Sequence, residues 1–161
     1  MLHLLVYSKI LKCLEELSLI MEQFFRDLSK SILSNINYKL SMKTVVLKFG
    51  GTSVGSIDRI KNVAKIISSY KRKKLSVIVV SSAMSGTTNE LIKKTKELSN
   101  NFDAAEYDVL LATGEQAACA LIAGRLKHLG FKARSWMSWQ LPIVTEGPYS
   151  SSRISKIKPM T

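Results

Sequence analysis

Cysteine, histidine and proline are scarce in this 161-residue sequence, at two, two and three residues, and glycine is limited to eight. Cys13 and Cys119 are far apart in apolar helical stretches, and neither has a His or Cys at metal-ligand spacing. That excludes a disulfide framework or a zinc cluster and fits thiols in a reducing cytosol. His3 and His128 belong to no ligand motif, so no metal site is expected; His128, close to Gly130, reads as a helix C-terminal residue. Few glycines and prolines together with 46% hydrophobic residues exclude a disordered or fibrous chain and leave enough apolar surface for one core. No stretch approaches the roughly 18–20 apolar residues of a membrane span. The N-terminal Leu-Leu-Val run is closed by Lys9 without a small-residue cleavage site, which argues against a signal peptide. Four acids in residues 1–41 (Glu15, Glu16, Glu22 and Asp27) argue against a transit peptide, and a cytoplasmic protein is expected.

Acidic residues are also few, 12 against 24 basic ones, for a net charge of +12. Residues 1–41 hold five Lys/Arg and four Asp/Glu, a balance of +1, so +11 of the +12 sits in residues 42–161. The densest run, Lys71-Arg72-Lys73-Lys74, falls between an expected helix and an expected strand, where cations complement the helix C-terminal dipole. No interleaved aromatics or reading helix accompany it, so no nucleic-acid partner is expected. A positive field equally suits an enzyme that handles polyphosphates and acidic substrates.

In residues 1–41, Ile10, Leu14, Leu17, Met21, Phe24, Leu28 and Ile32 recur at three- and four-residue steps. This spacing predicts an amphipathic helix whose stripe needs a partner surface or a membrane face. The segment is read as an extension separable from a unit spanning 42–161, with Met42 as an alternative start. From Thr44 the pattern alternates. Thr44–Phe49 reads as a buried strand ending in Gly50-Gly51, and Ile57, Ile60, Val63, Ala64 and Ile67 give a helix capped by Ser56. Ser76–Val80 reads as a second buried strand. Thr88 is a candidate cap for the next helix, and a further helical region over Ala104–Leu129 is expected to break near Gly114-Glu115. Phe131–Trp136 and Ile143-Val144 read as strands. Repeated strand–loop–helix units predict an α/β fold with a parallel sheet covered by helices.

Three segments carry chemistry. Lys48-Phe49-Gly50-Gly51-Thr52-Ser53-Val54-Gly55 lies where the first strand of the unit meets its first helix. Two glycines let backbone N–H groups approach phosphate oxygens, Lys48 adds a cation, and Thr52 and Ser53 add hydroxyls. No Gly-Lys-Ser/Thr closes the segment, so it is not a P-loop. The second segment, Ser81–Asn89, follows the second strand and therefore faces the same sheet edge. Its hydroxyls suit a small polar substrate carboxylate, or it is a turn with ordinary capping. The third, Thr113-Gly114-Glu115-Gln116, places a carboxylate in an apolar stretch, either as a helix cap or as a ligand for a substrate ammonium.

Lys-Phe-Gly-Gly-Thr-Ser-Val at 48–54, Ser-Ala-Met-Ser-Gly-Thr-Thr-Asn at 82–89 and Gly-Glu-Gln at 114–116 occur in this order with Lys132–Trp136 and Trp139-Gln140. Together they resemble the aspartate kinases of the amino acid kinase family over essentially all of 42–153. The resemblance implies a three-layer αβα sandwich with a mainly parallel sheet, here only its N-terminal part. It implies ATP with Mg²⁺ as the phosphoryl donor and L-aspartate as the acceptor, in the first step toward lysine, threonine and methionine. It also implies roles for residues. Lys48 would contact the ATP phosphates beside Gly50, Gly51, Thr52 and Ser53, while Ser82, Thr88 and Glu115 would hold aspartate. Since the acceptor carboxylate is already an anion, no general base is needed. The demand is to align two anions and neutralise their repulsion.

The sequence departs from the family after Gln140. Thr145-Glu146-Gly147-Pro148 stands where a Thr-Asp and a His-Gly step are usual. The Gly-Arg-Gly-Gly-Ser-Asp stretch and the Thr-Asp-Val nucleotide segment are not found between Met42 and Thr161. The expectation is an incomplete catalytic unit active only if a complementing second chain supplies the rest, with a homo-oligomer or that second chain as partner, or else an inert fragment or interaction module.

Overall fold

The computed structural model describes residues 2–6, 43–141 and 143–157. The amphipathic stripe from Ile10 to Ile32, Cys13 and the Met42 start lie outside these residues.

Five strands and three helices account for most of what is described. Strand β1 spans Leu2–Val6 and β2 spans Thr44–Phe49. A 3₁₀ turn over Gly51–Val54 leads to helix α1, Ile57–Arg72. Strand β3, Ser76–Ser81, is followed by α2, Thr87–Leu98, and α3, Ala104–His128. Strand β4, Ala133–Trp136, a second 3₁₀ turn at Ser138–Gln140 and strand β5, Ile143–Glu146, complete this part. A sixth strand, β6 at Arg153–Ile157, pairs antiparallel with β5 as a separate two-stranded sheet. The sequence pattern had not indicated β1 or β6.

The main sheet is parallel in the order β2-β3-β1-β4. Residues 2–6, read from the sequence as part of a separable extension, therefore form one of its two inner strands. Strand β3 is buried along most of its length, as expected for an inner strand of a covered parallel sheet. Strand β2 departs from the buried strand expected of it. It ends the sheet, and its residues alternate, with Thr44, Val46 and Lys48 exposed and Val45, Leu47 and Phe49 half-buried. The alternation turns Lys48 away from the packed face.

Helices α1 and α3 cover that packed face. Ile60, Val63, Ala64 and Ile67 of α1 and Cys119, Ile122, Ala123 and Leu126 of α3 form one core with Val77 and Val79 of β3. Each large apolar side chain buried there contributes about 1.5–3 kcal/mol. Sheet and helix layer confirm the α/β class with a parallel sheet. Of the three layers expected, these two are seen among the described residues.

Two local expectations are corrected. Helix α3 runs unbroken through Gly114-Glu115 for 25 residues, because Asp103 caps it much earlier. The Asp103 carboxylate accepts from the backbone N–H groups of Ala105 (2.9 Å) and Glu106 (3.1 Å). Thr88 does not cap α2; Gly86, at φ 88°, is the N-cap and Thr88 lies within the first turn. Ser56 does cap α1, accepting from Arg59 N–H at 3.3 Å. By length and composition α3 alone, among the described residues, could cross a membrane, against the reading that no stretch approaches a span. Its burial against α1 and β3 makes it a core helix here.

Candidate active site

Strands β2 and β3 lie side by side in register, with Lys48 opposite Val80 and Phe49 opposite Ser81. Their carboxyl ends therefore open at one level. The chain leaves β2 through Gly50-Gly51, and Ser53 N–H donates to Gly50 O at 2.9 Å, closing the 3₁₀ turn. The Gly-Gly segment thus enters this turn first, and α1 starts only at Ile57. The chain leaves β3 through Ser82, whose N–H donates to Phe49 O at 3.1 Å and ties the two exits together.

Close approach explains the small residues. A Cβ on Gly51 would stand 3.0 Å from the Ala83 carbonyl oxygen, and one on Gly55 would stand 3.0 Å from Ser85 Cβ. A Cβ on Gly114 would stand 3.1 Å from Ala83 Cβ and 3.2 Å from Thr87 Cγ2. Gly51, the 82–87 loop and the middle of α3 therefore press together with no spare volume. Three segments separated in sequence converge, with Ala83 touching the other two.

Glu115 follows from that contact. It projects from the middle of α3 into the convergence and is 7% exposed. One carboxylate interaction is with the Ala83 backbone, while Oε2 is buried without a hydrogen-bond partner. Burial pushes its pKa up to about 6, against the opposing effect of nearby backbone groups. A buried carboxylate with an unmet acceptor suits a cationic or hydrogen-bond-donating ligand.

The other candidates differ in setting. Lys48, Thr52 and Ser53 are exposed, Gly50 and Gly51 are half-buried, and Ser82 and Thr88 are half-buried on the β3 side. The sequence reading overlooked Arg59. Its guanidinium donates to the Thr52 carbonyl, placing a second cation at the Gly-Gly turn. Its only signal was its position in the first turn of α1, which any surface Arg could share. Cys119, one turn after Glu115, is fully buried; burial and the Glu115 charge push its thiol up to about 12. It is not a nucleophile in this setting. Among the described residues no cluster of His, Cys, Asp or Glu could hold a metal by itself. A groove lined by Lys127, Phe131, Lys132 and Arg134 lies at the amino end of β4, the opposite sheet edge from these motifs.

Residues 43–160 match the model of the amino acid kinase family. The chain belongs to the amino acid kinase family. Among curated relatives, the aspartokinase of Geobacillus stearothermophilus is 47% identical over 116 residues, covering 72% of this chain and 28% of that protein. The aspartokinase of Rickettsia felis is 45% identical over 119 residues, covering 72% of this chain and 30% of that protein. A crystal structure of aspartate kinase from Synechocystis is similar with a TM-score of 0.59 and 39% identity, over 61% of this chain and 17% of that one. The chain thus spans under a third of the length of these curated relatives. The family match over residues 43–160 includes all of the converging segments.

Proposed function

We propose that residues 43–157 form the phosphate-binding and substrate-ammonium part of an aspartate kinase site. The reaction is transfer of the ATP γ-phosphoryl group to the L-aspartate side-chain carboxylate: a carboxylate oxygen bonds to the γ-phosphorus, its bond to the β,γ-bridging oxygen breaks, and the products are an acyl phosphate and ADP. The convergence of the Gly50-Gly51 turn, the Ser82–Thr87 loop and Glu115 on Ala83 carries this reading. It joins a cation-flanked glycine turn to a buried carboxylate across one sheet edge. Lys48 contacts the ATP phosphates, and Gly50, Gly51, Thr52 and Ser53 cradle them. Glu115 takes the aspartate ammonium, while Ser82 and Thr88 supply hydroxyls to the same substrate.

The cradle fits a polyphosphate: the turn is open at Gly50, where a Cβ would meet no atom within 4 Å, and two cations, Lys48 and Arg59, flank it. Mg²⁺ would come with the nucleotide as Mg·ATP. Its chemistry is to neutralise charge on the phosphoryl group in transfer. The protein's own task is alignment of two anions, which needs fixed cations rather than a base.

A complete site takes further residues supplied by a complementing chain or by the remainder of a longer one. The test is twofold. Calorimetric titration with Mg·ATP and with tripolyphosphate should show binding that Lys48→Ala weakens by about 1.5–3 kcal/mol, the range for a charge-assisted contact. Hydroxylamine trapping of acyl phosphate should show no aspartate-dependent product from these 161 residues alone. Unchanged affinity in Lys48→Ala would sink the phosphate assignment, and trapped product would sink the incompleteness.

A further inference from the structure

We propose that residues 2–6 are a donor strand, filling a slot that the family-matched part of the chain leaves open between β3 and β4. The match to the family begins at residue 43. Within it, β3 and β4 are not neighbours; β1 stands between them. Adjacent strands lie about 4.8 Å apart, so β3 and β4 are separated by about twice that, too far to bond to each other. The facing edge of β3, Ile78 to Ser81, pairs with His3, Leu4, Leu5 and Val6. The facing edge of β4, Ala133 to Trp136, pairs with Leu2, His3, Leu4 and Leu5. One five-residue segment thus closes both ladders.

Leaving the slot empty would be costly. Val77, Ile78 and Val79 of β3 are buried, and unpaired backbone groups along a buried strand carry the full desolvation penalty. The occupant must run parallel to both neighbours and be short and apolar. Leu2-His3-Leu4-Leu5-Val6 meets these requirements. A parallel connection needs a dozen or more residues, and residues 7–42 give β1 ample reach to β2. Relatives align to this chain over only 116–119 residues and are more than three times longer than that stretch. The slot lies inside the family-matched residues 43–160, and its occupant here lies outside them. Residues 2–6 therefore complete the sheet in place of any strand from the aligned part. Because β1 ends opposite Ser81 and Trp136, it also braces the exit of β3 that leads into Ser82 and Ala83.

The test uses the full chain in a Cys13→Ser background. Leu4→Cys is combined with its register partner, Ser135→Cys. Neighbouring strands place such Cα atoms within disulfide range, so mild oxidation should join residues 4 and 135 within one chain in most molecules. The combination of Leu4→Cys with Met137→Cys, two residues out of register, should cross-link at least tenfold more slowly. No 4–135 link, an equal rate in the out-of-register pair, or links only between chains would overturn the proposal. In parallel, Leu4→Pro removes a backbone donor that an inner strand needs. Hydrogen exchange at residues 78–81 and 133–136 should then rise at least tenfold while residues 63–67 of α1 keep their protection. Unchanged exchange at 78–81 would also overturn it. Where Leu4→Pro unfolds the whole chain, the cross-linking rates decide.

Discussion

The carboxylate of Asp108 accepts two hydrogen bonds from Ser150, one from its backbone N–H at 2.7 Å and one from its hydroxyl at 3.0 Å. This pair fastens the turn between β5 and β6 to the second turn of α3. Ser150 has φ 64°, a left-handed conformation that a non-glycine residue adopts only when held. Asp108→Ala should release the hairpin and cost about 1–2 kcal/mol, the value of hydrogen bonds to a charged acceptor at a partly exposed site. Denaturant unfolding measures the loss. Hydrogen exchange should show it concentrated at residues 143–157, and a loss spread evenly over the sheet would contradict the assignment.

Glu115 makes stability depend on pH in a definite direction. Its pKa is raised from 4.5 to about 6, so the folded chain binds more protons than the unfolded chain between these values. Stability should therefore fall as pH rises from about 4.5 through 6, by about 2 kcal/mol from this group. Glu115→Gln should remove that dependence and be more stable than the parent at pH 8. Urea unfolding at pH 4.5 and 8 gives the comparison. A parent chain whose stability rises over that interval, with the variant rising equally, would refute the burial argument.

Two glycines in the same helix should respond oppositely to alanine. Gly124 faces open space, so Gly124→Ala should stabilise by about 0.5–1 kcal/mol through helix propensity. Gly114→Ala gains the same propensity but drives a methyl against Ala83 and Thr87, an overpacking cost of about 1–3 kcal/mol. Its net effect should be destabilising, and it should displace the 82–87 loop. Thermal unfolding of both variants tests the contrast; equal shifts would show that the loop yields freely.

Gly51→Ala should act on both folding and binding. The added methyl meets the Ala83 carbonyl oxygen at 3.0 Å, and neither backbone can rotate away as a side chain would. Tripolyphosphate affinity, measured where the variant is still folded, should drop at least tenfold, and the overpacking should also cost about 1–3 kcal/mol of stability. Retained affinity would mean that the turn does not hold the phosphates.

Much of this arrangement was legible in the sequence, for identifiable reasons. Helical spacing from Ile57 to Ile67 and the Ser56 cap are local signals, and both match the structure. Gly114 misled because glycine usually weakens a helix. Here it is kept by a tertiary contact with Ala83 that no local pattern reveals. Gly86 took the cap position from Thr88 because the chain needs a positive φ there. The pairing of β1 with β3 and β4 was invisible for the same reason: it joins residues far apart in sequence. A five-residue apolar run gives no sign of where it docks. Of the candidate site, the motif residues were readable, whereas the desolvated state of Glu115 and the reach of Arg59 required coordinates.

Cys119 sits at the centre of the core, fully enclosed, with its thiol held in the protonated form. A maleimide cannot reach it without parting α1 from α3, and it is reactive only as thiolate. In a Cys13→Ser chain, its labelling rate becomes a clock for the opening of this helix pair. A substrate or nucleotide that clamps the convergence around Ala83 should slow that clock in proportion to its occupancy. The molecule thus carries its own binding reporter, readable by mass alone and independent of any turnover.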